Sequence, residues 1–170
     1  STLHFNIFYH YGLAHFIKGE FEDAEPIYRL CWDASVHADS KVATAHWLYM
    51  TLRRLGREEE AQSLVQNLDL PALGQEIIES GSYLELLQLY AQGLDPEAAK
   101  ASGVGTGAET ASLEGATVGF GLGNLQLVNE RPQEARMTFR SIVEARDQWA
   151  AFGYIPAEAD LARMGLEEGP

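Results

Sequence analysis

The amino-acid sequence predicts an all-α protein built from repeated pairs of helices, and three observations support this. Gly19, Gly56 and Gly93 recur at a spacing of 37 residues, each in a turn that follows an apolar segment. An alanine follows each of these glycines after five residues. Apolar residues recur at helical spacing along the chain, and the alternation typical of a strand never persists beyond a few residues. A fixed period of this length is typical of stacked two-helix repeats.

The alanines extend the register to a fourth repeat. The same small residue occupies four equivalent positions: Ala24, Ala61, Ala98 and Ala135. The fourth turn position holds Glu130, in a helix-breaking stretch that precedes Pro132. A bulky residue follows the alanine after four positions in three repeats, as Tyr28, Val65 and Phe139. A small residue lets two helices approach closely and the large one fills the adjoining hole, so these pairs are predicted helix contacts.

Helical periodicity and its interruptions give the predicted elements. Helices are expected at His4–Lys18, Glu22–Val36, Lys41–Leu55, Glu58–Leu68, Gln75–Gln92, Pro96–Ala101, Glu109–Val128, Pro132–Ala145 and Gln148–Met164. Pro71 and Gly74 indicate a loop, and Pro156 is expected to kink or split the last helix. The prediction is a single domain over residues 1–170. Its repeats span residues 5–38, 42–73, 79–107 and 116–146, and a C-terminal helix spans 148–164.

Three repeats share one order of residue types across the first helix and the start of the second. They read Phe8-x2-Tyr11-Gly12-x2-His15 with Ala24-x3-Tyr28, Ala45-x2-Leu48-Tyr49-x2-Leu52 with Ala61-x3-Val65, and Gly119-x2-Leu122-Gly123-x2-Gln126 with Ala135-x3-Phe139. This order resembles the tetratricopeptide repeat (TPR), W-x2-L-G-x2-Y then A-x3-F then P over 34 residues. The repeat here is three residues longer, and the third matches only at Gly93 and Ala98. Trp149-x2-Phe152-Gly153 resembles the opening of one more first helix.

The resemblance implies a right-handed α-α superhelix, a TPR-like solenoid of about four helix pairs with a C-terminal capping helix. In that family the first helix of each repeat lines a concave groove. The register carries six positions of this kind into the predicted partner-binding groove: Tyr9, His46, Arg53, Tyr83, Tyr90 and Phe120. The rings among them suggest an aromatic ladder, and packing of the same rings between helices is the open alternative. The family's basic carboxylate clamp is not matched, because Leu13 and Met50 stand among its positions.

Composition and net charge limit the classes of partner that the chain is expected to bind. The chain has 46% hydrophobic and 22% charged residues, which is ordinary for a folded globular protein. Its net charge of −13 argues against nucleic acids and against anionic membrane surfaces, since both are bound through Lys and Arg. No apolar run is long enough to cross a bilayer, and no signal peptide is visible. A cytoplasmic protein is expected. Because residue 1 is not methionine, a removed targeting segment stays open.

No set of residues predicts catalysis, a metal or a cofactor. His4, His10, His15 and His46 lack the i, i+4 spacing with an intervening glutamate that marks a zinc helix. The glycine-rich segment 103–107 has neither a preceding strand nor a trailing Gly-Lys-Ser/Thr, so a flexible linker is predicted. Cys31 is interpreted as a structural thiol, and residues 58–60 as acidic charges at a helix start.

The sequence therefore favours a non-catalytic scaffold that binds a protein or peptide in a groove. A partner segment of mixed or basic charge with apolar residues is expected, because the chain itself is acidic. The alternative is an α-helical enzyme or small-ligand-binding protein that uses a cluster of Tyr9, His10, His15 and His46. Self-association through one of the surfaces is a third hypothesis.

Overall fold

The computed structural model describes residues 2–93, 113–146 and 149–167. The chain falls into two compact units, Ser1–Gly93 and Leu94–Pro170, here called the N-terminal unit and the C-terminal unit. All regular structure in the described residues is helical, without a strand, so the all-α prediction is confirmed. No helix in that part of the chain is long and apolar enough to cross a membrane.

The N-terminal unit contains the first two predicted helix pairs and the first helix of the third. Its helices are α1 (Leu3–Lys18), α2 (Phe21–Asp33), α3 (Ala38–Arg54), α4 (Glu58–Gln66), α5 (Leu70–Glu76) and α6 (Gly81–Ala91). Consecutive helices from α1 to α4 pack against each other, and α6 packs against α3, α4 and α5. Helix α3 lies at the centre of this unit, and its residues 42–52 are all buried.

The C-terminal unit contains the fourth predicted pair and one further helix. These are α7 (Leu113–Val128), α8 (Pro132–Glu144) and α9 (Tyr154–Glu167), and each packs against the other two. The last helix begins at Tyr154 and not near residue 148, because Pro156 stands in its first turn, where a backbone N–H is not needed. The predicted kink at Pro156 is therefore wrong. Trp149–Gly153 forms a turn ahead of the helix and not the opening of one.

The turn register of the sequence is present in the backbone. Gly19, Gly56 and Gly93 all have positive φ angles, of 79°, 72° and 62°. Glu130, at the fourth equivalent position, also has a positive φ of 60°. After Gly19, Gly56 and Glu130, the next backbone N–H bonds five residues back, which closes the preceding helix in the same way each time. The 37-residue repeat is therefore a structural period at these four turns.

The small-to-large contacts follow the same register. Ala24, Ala61 and Ala135 are fully buried, as predicted. A Cβ added to Gly12 would lie 2.9 Å from the Tyr28 ring, and one added to Gly123 would lie 2.3 Å from the Phe139 ring. Repeats one and four thus close their helix pairs through one glycine–aromatic contact at equivalent positions. The close approach excludes any larger residue unless the ring moves.

Two predictions about the segment between α4 and α6 are wrong. The expected loop at Pro71 and Gly74 is helix α5, whose start is capped by the Asp69 carboxylate accepting the Ala72 N–H at 3.0 Å. The expected continuous helix from residue 75 is broken at residues 77–80. There the Asp39 carboxylate accepts the backbone N–H groups of residues 78–80, which lowers its pKa. The predicted helix 96–101, Ala98 and the glycine-rich segment lie outside the described residues.

Ala61→Leu should destabilise the N-terminal unit by about 1–3 kcal/mol, because Ala61 is fully buried where α4 packs. The matched control is Gln66→Leu, which adds the same side chain at an exposed position of the same helix. Urea unfolding followed by circular dichroism measures both. An unchanged unfolding midpoint for Ala61→Leu would contradict the register.

Candidate functional site

The predicted groove residues are mostly interior residues. Tyr9, His46 and Tyr90 are buried in the N-terminal unit, and Phe120 is buried in the C-terminal unit, where its ring stacks 5.4 Å from that of Phe139. Tyr83 is half-buried. The rings therefore pack between helices, which is the alternative that the sequence left open. The physical reason in the N-terminal unit is that α1, α3 and α6 pack together through these positions.

Five of the rings in the N-terminal unit form a connected group, here called the Tyr/His cluster: Tyr9, His46, Trp47, Tyr83 and Tyr90. The hydroxyls of Tyr9 and Tyr83 are hydrogen-bonded at 2.9 Å, and the Trp47 indole N–H donates to Tyr9 at 2.9 Å. His46 lies 5.0 Å from the Tyr83 ring and bonds to the Tyr90 hydroxyl through Nδ1 at 3.3 Å. The cluster thereby links α1, α3 and α6.

Burial keeps the titratable groups of this cluster uncharged over a wide pH range around 7. It raises the pKa of the Tyr9, Tyr83 and Tyr90 hydroxyls above the ordinary value and lowers the pKa of His46 to about 3. The His46 Nε2 has no hydrogen-bond partner among the described residues. A histidine that is uncharged and enclosed in this way suits packing better than proton transfer to a substrate.

Arg53, the sixth groove residue, is held within the N-terminal unit. Its guanidinium donates to the Tyr49 hydroxyl at 3.2 Å and lies 3.5 Å from the Glu58 carboxylate. The neighbouring Arg54 lies over the rings of Phe16 and Phe21, at 5.8 and 5.3 Å from the ring centres. Both arginines are thus engaged by neighbouring side chains of the same unit.

The histidines of the alternative hypothesis are not brought together. His10 is exposed and bonds through Nδ1 to the Asn6 carbonyl at 2.8 Å. His15 is half-buried and lies 2.7 Å from the Glu20 carboxylate. His15, Glu20 and Asp23 together form a set of three possible metal ligands. However, Lys18 Nζ is already 2.5 Å from the second oxygen of Glu20. Lys18 and His15 thus already contact the two oxygens of the Glu20 carboxylate.

An exposed apolar row on α1 is the feature that the sequence reasoning missed. Leu3, Ile7 and Tyr11 are 73%, 53% and 54% exposed. Their i, i+4, i+8 spacing places them on one side of the helix, opposite the buried side that carries Tyr9 and Phe16. We call these three residues the α1 row. Sequence alone could not have found them, because apolar residues at helical spacing usually face the core.

The C-terminal unit has an open concavity of about 790 Å³. Residues of α8, the following turn and α9 line it: Arg140, Val143, Glu144, Arg146, Trp149, Tyr154, Glu158 and Leu161. Two arginines and two glutamates balance its charge. Tyr154 donates to the Val143 carbonyl at 3.2 Å, which ties the start of α9 to α8 beneath this surface.

Comparison of the chain with protein-family models, curated proteins and solved structures gives no match.

Proposed function

We propose that this protein is a non-catalytic scaffold that binds another protein or a peptide, and that its repeats stack as a right-handed TPR-like superhelix. The observation that carries the proposal is the α1 row, in which three large apolar side chains are more than half exposed on one side of a helix. Contiguous apolar groups on a protein surface are typical of interaction sites. Burying them against a partner would contribute roughly 1.5–3 kcal/mol for each side chain that is fully covered.

The charge around the row supports the same function. Helix α1 contains no Asp or Glu, whereas the whole chain has a net charge of −13. An approaching partner can therefore cover the row without burying a carboxylate of this helix, which would be costly. Partner contact at Tyr9, His46, Tyr90 or Phe120 would require packed helices to part, so the proposal rests on the row and not on those residues. A cytoplasmic location is part of the proposal, in keeping with a single, unpaired cysteine.

A small-ligand or enzymatic role has less support. Of the four residues of that hypothesis, only Tyr9 and His46 belong to the Tyr/His cluster. His10 contacts the Asn6 carbonyl and His15 contacts Glu20. Burial holds the pKa of His46 at about 3, so the group is not poised to exchange protons near neutral pH.

The proposal predicts that peptides selected by the full chain from a displayed random library will depend on the α1 row. Ile7→Glu should weaken their binding about tenfold or more, since a buried charge replaces a central apolar contact. Ile78→Glu is the matched control, because Ile78 is 90% exposed and lies outside the row. Circular dichroism checks that both variants stay folded. Selection of no peptide, or equal binding by Ile7→Glu and the parent, would contradict the proposal.

A further inference from the structure

The α1 row belongs to a wider edge of the first repeat. Adding Ala14 on α1 and the carboxylates of Glu20 and Asp23 at the start of α2 gives what we call the α1 edge. Each of its residues has an equivalent 37 positions later in the second repeat. The pairs are Leu3 with Ser40, Ile7 with Thr44, Tyr11 with Leu48, Ala14 with Thr51, Glu20 with Arg57, and Asp23 with Glu60.

In the second repeat the four equivalent positions on the first helix are buried, and that helix, α3, packs against α2. Ser40, Thr44, Leu48 and Thr51 are all buried. The Thr44 hydroxyl lies 3.3 Å from the Cys31 sulfur of α2, at the centre of this contact. The second repeat thus shows what kind of element fits the edge, namely one helix laid along the first helix of a pair.

Charged side chains of α2 also form ion pairs with residues at the start of the second helix of that repeat. Arg57 lies 3.4 Å from Glu25 of α2, and Glu60 lies 3.3 Å from Arg29 of α2. Helix α2 therefore presents both a cation and an anion to the second repeat, and each meets its opposite.

In the first repeat the same edge is uncovered and its chemistry is different. The small polar Ser40 and Thr44 are replaced by the larger apolar Leu3 and Ile7, which are exposed. Both charged positions are now acidic, because Glu20 stands in the place of Arg57 and Asp23 in the place of Glu60. Asp23 is exposed and Glu20 is half-buried beside Lys18. An occupant must then supply an apolar face and cations.

We propose that a basic amphipathic helix docks on the α1 edge, in the place that α2 takes on α3 and α4. This inference rests on the proposed function and names its partner class. The apolar face of the partner helix covers Leu3, Ile7 and Tyr11, and its arginines or lysines face Glu20 and Asp23. The net charge of −13 attracts such a helix from a distance and speeds its association.

A second copy of this chain is a poorer occupant. Three exposed side chains provide much less than the roughly 800 Å² that each partner buries in a typical stable interface. Two copies of net charge −13 also repel each other. A basic helix replaces this repulsion with attraction.

Two synthetic helices test the inference, both as long as α1 and both with alanine and leucine along one face. One carries arginine and lysine on its flanks, and its twin carries glutamate at the same positions. Calorimetric titration into the full chain should show binding of the basic helix and at least about tenfold weaker binding of the twin. Ile7→Glu should weaken binding of the basic helix about tenfold, and Ile78→Glu should leave its binding unchanged. The double variant Glu20→Lys with Asp23→Lys should bind the glutamate twin more tightly than the basic helix.

Several results would overturn the inference. Equal binding of the two helices to the parent, or an unaltered preference in the double variant, would remove the charge argument. A dimeric parent that Ile7→Glu converts to a monomer, measured by sedimentation, would assign the edge to a second copy. If neither helix binds while library-selected peptides still depend on Ile7, this inference fails and the proposed function stands. If the library also yields no peptide whose binding depends on Ile7, both this inference and the proposed function fail.

Discussion

Gly153→Ala is expected to destabilise the C-terminal unit by about 3 kcal/mol, at the upper end of the usual cost of overpacking. A Cβ at this position would lie 2.0 Å from the Ala116 carbonyl oxygen and 2.7 Å from the Thr117 nitrogen, both of which are backbone atoms of α7. No side-chain rotation relieves a clash with backbone, so the turn and α7 must move apart. Gly153 also accepts the Ala157 N–H at the start of α9, where alanine is a poorer cap than glycine.

Gly165→Ala is the matched control for that change. Gly165 lies in α9, and nothing stands within 4 Å of an added Cβ. The substitution should leave stability unchanged or raise it by up to about 1 kcal/mol, since alanine favours a helix over glycine. Urea unfolding followed by circular dichroism compares the two variants. Equal midpoints would show that Gly153 does not pack closely on α7.

Acidification from pH 7 to pH 5 should cost the N-terminal unit about 2 kcal/mol through His46 alone, at 1.36 kcal/mol for each unit of pKa difference. Burial lowers the pKa of this histidine from 6.5 to about 3. Between these values the unfolded chain binds a proton that the folded chain does not, so falling pH favours unfolding. The stability contributed by the neutral form is fully present above pH 6.5 and is lost progressively toward pH 3.

His46→Asn removes the titrating group and retains an amide that can bond to Tyr90, so the stability of this variant should change less between pH 7 and pH 5. It should be less stable than the parent at pH 7, because a smaller side chain leaves a cavity. His10→Asn is the control, since His10 is exposed, and it should keep the steep pH dependence of the parent. Carboxylates with lowered pKa values, such as Asp39, lose their contribution at lower pH and stay outside this window. Identical slopes for His46→Asn and the parent would refute the assignment.

The parts of the fold that sequence predicted best are those that one short segment determines. A glycine at each turn and an alanine five residues later specify a local backbone and a local contact, and both recur at Gly19, Gly56, Ala24 and Ala61 as expected. The break before α6 was not visible, because it depends on Asp39, which is distant in sequence from residues 78–80. Helix α5 was missed because Pro71 was interpreted as a breaker, although proline is tolerated in the first turn.

The site was predicted less well because exposure depends on what packs against a residue. The register correctly aligned Tyr9, His46 and Tyr83 along neighbouring first helices, and their rings do contact each other or share a partner. Sequence could not show that this side of the helices faces inward. For Leu3 and Ile7 sequence would predict burial, since apolar residues at helical spacing usually lie in the core. Only the packing shows that they lie on the uncovered side of α1.

Nuclear magnetic resonance of the isotope-labelled full chain with a library-selected peptide would locate the residues that a partner contacts. If a partner binds on the α1 row, the largest changes in amide chemical shift will fall on residues 3–14 of α1 and at the start of α2 near Asp23. Ile7→Glu should abolish those changes, and Ile78→Glu should leave them in place. Changes confined to the C-terminal unit, for example around Trp149 and Glu158, would contradict the claim.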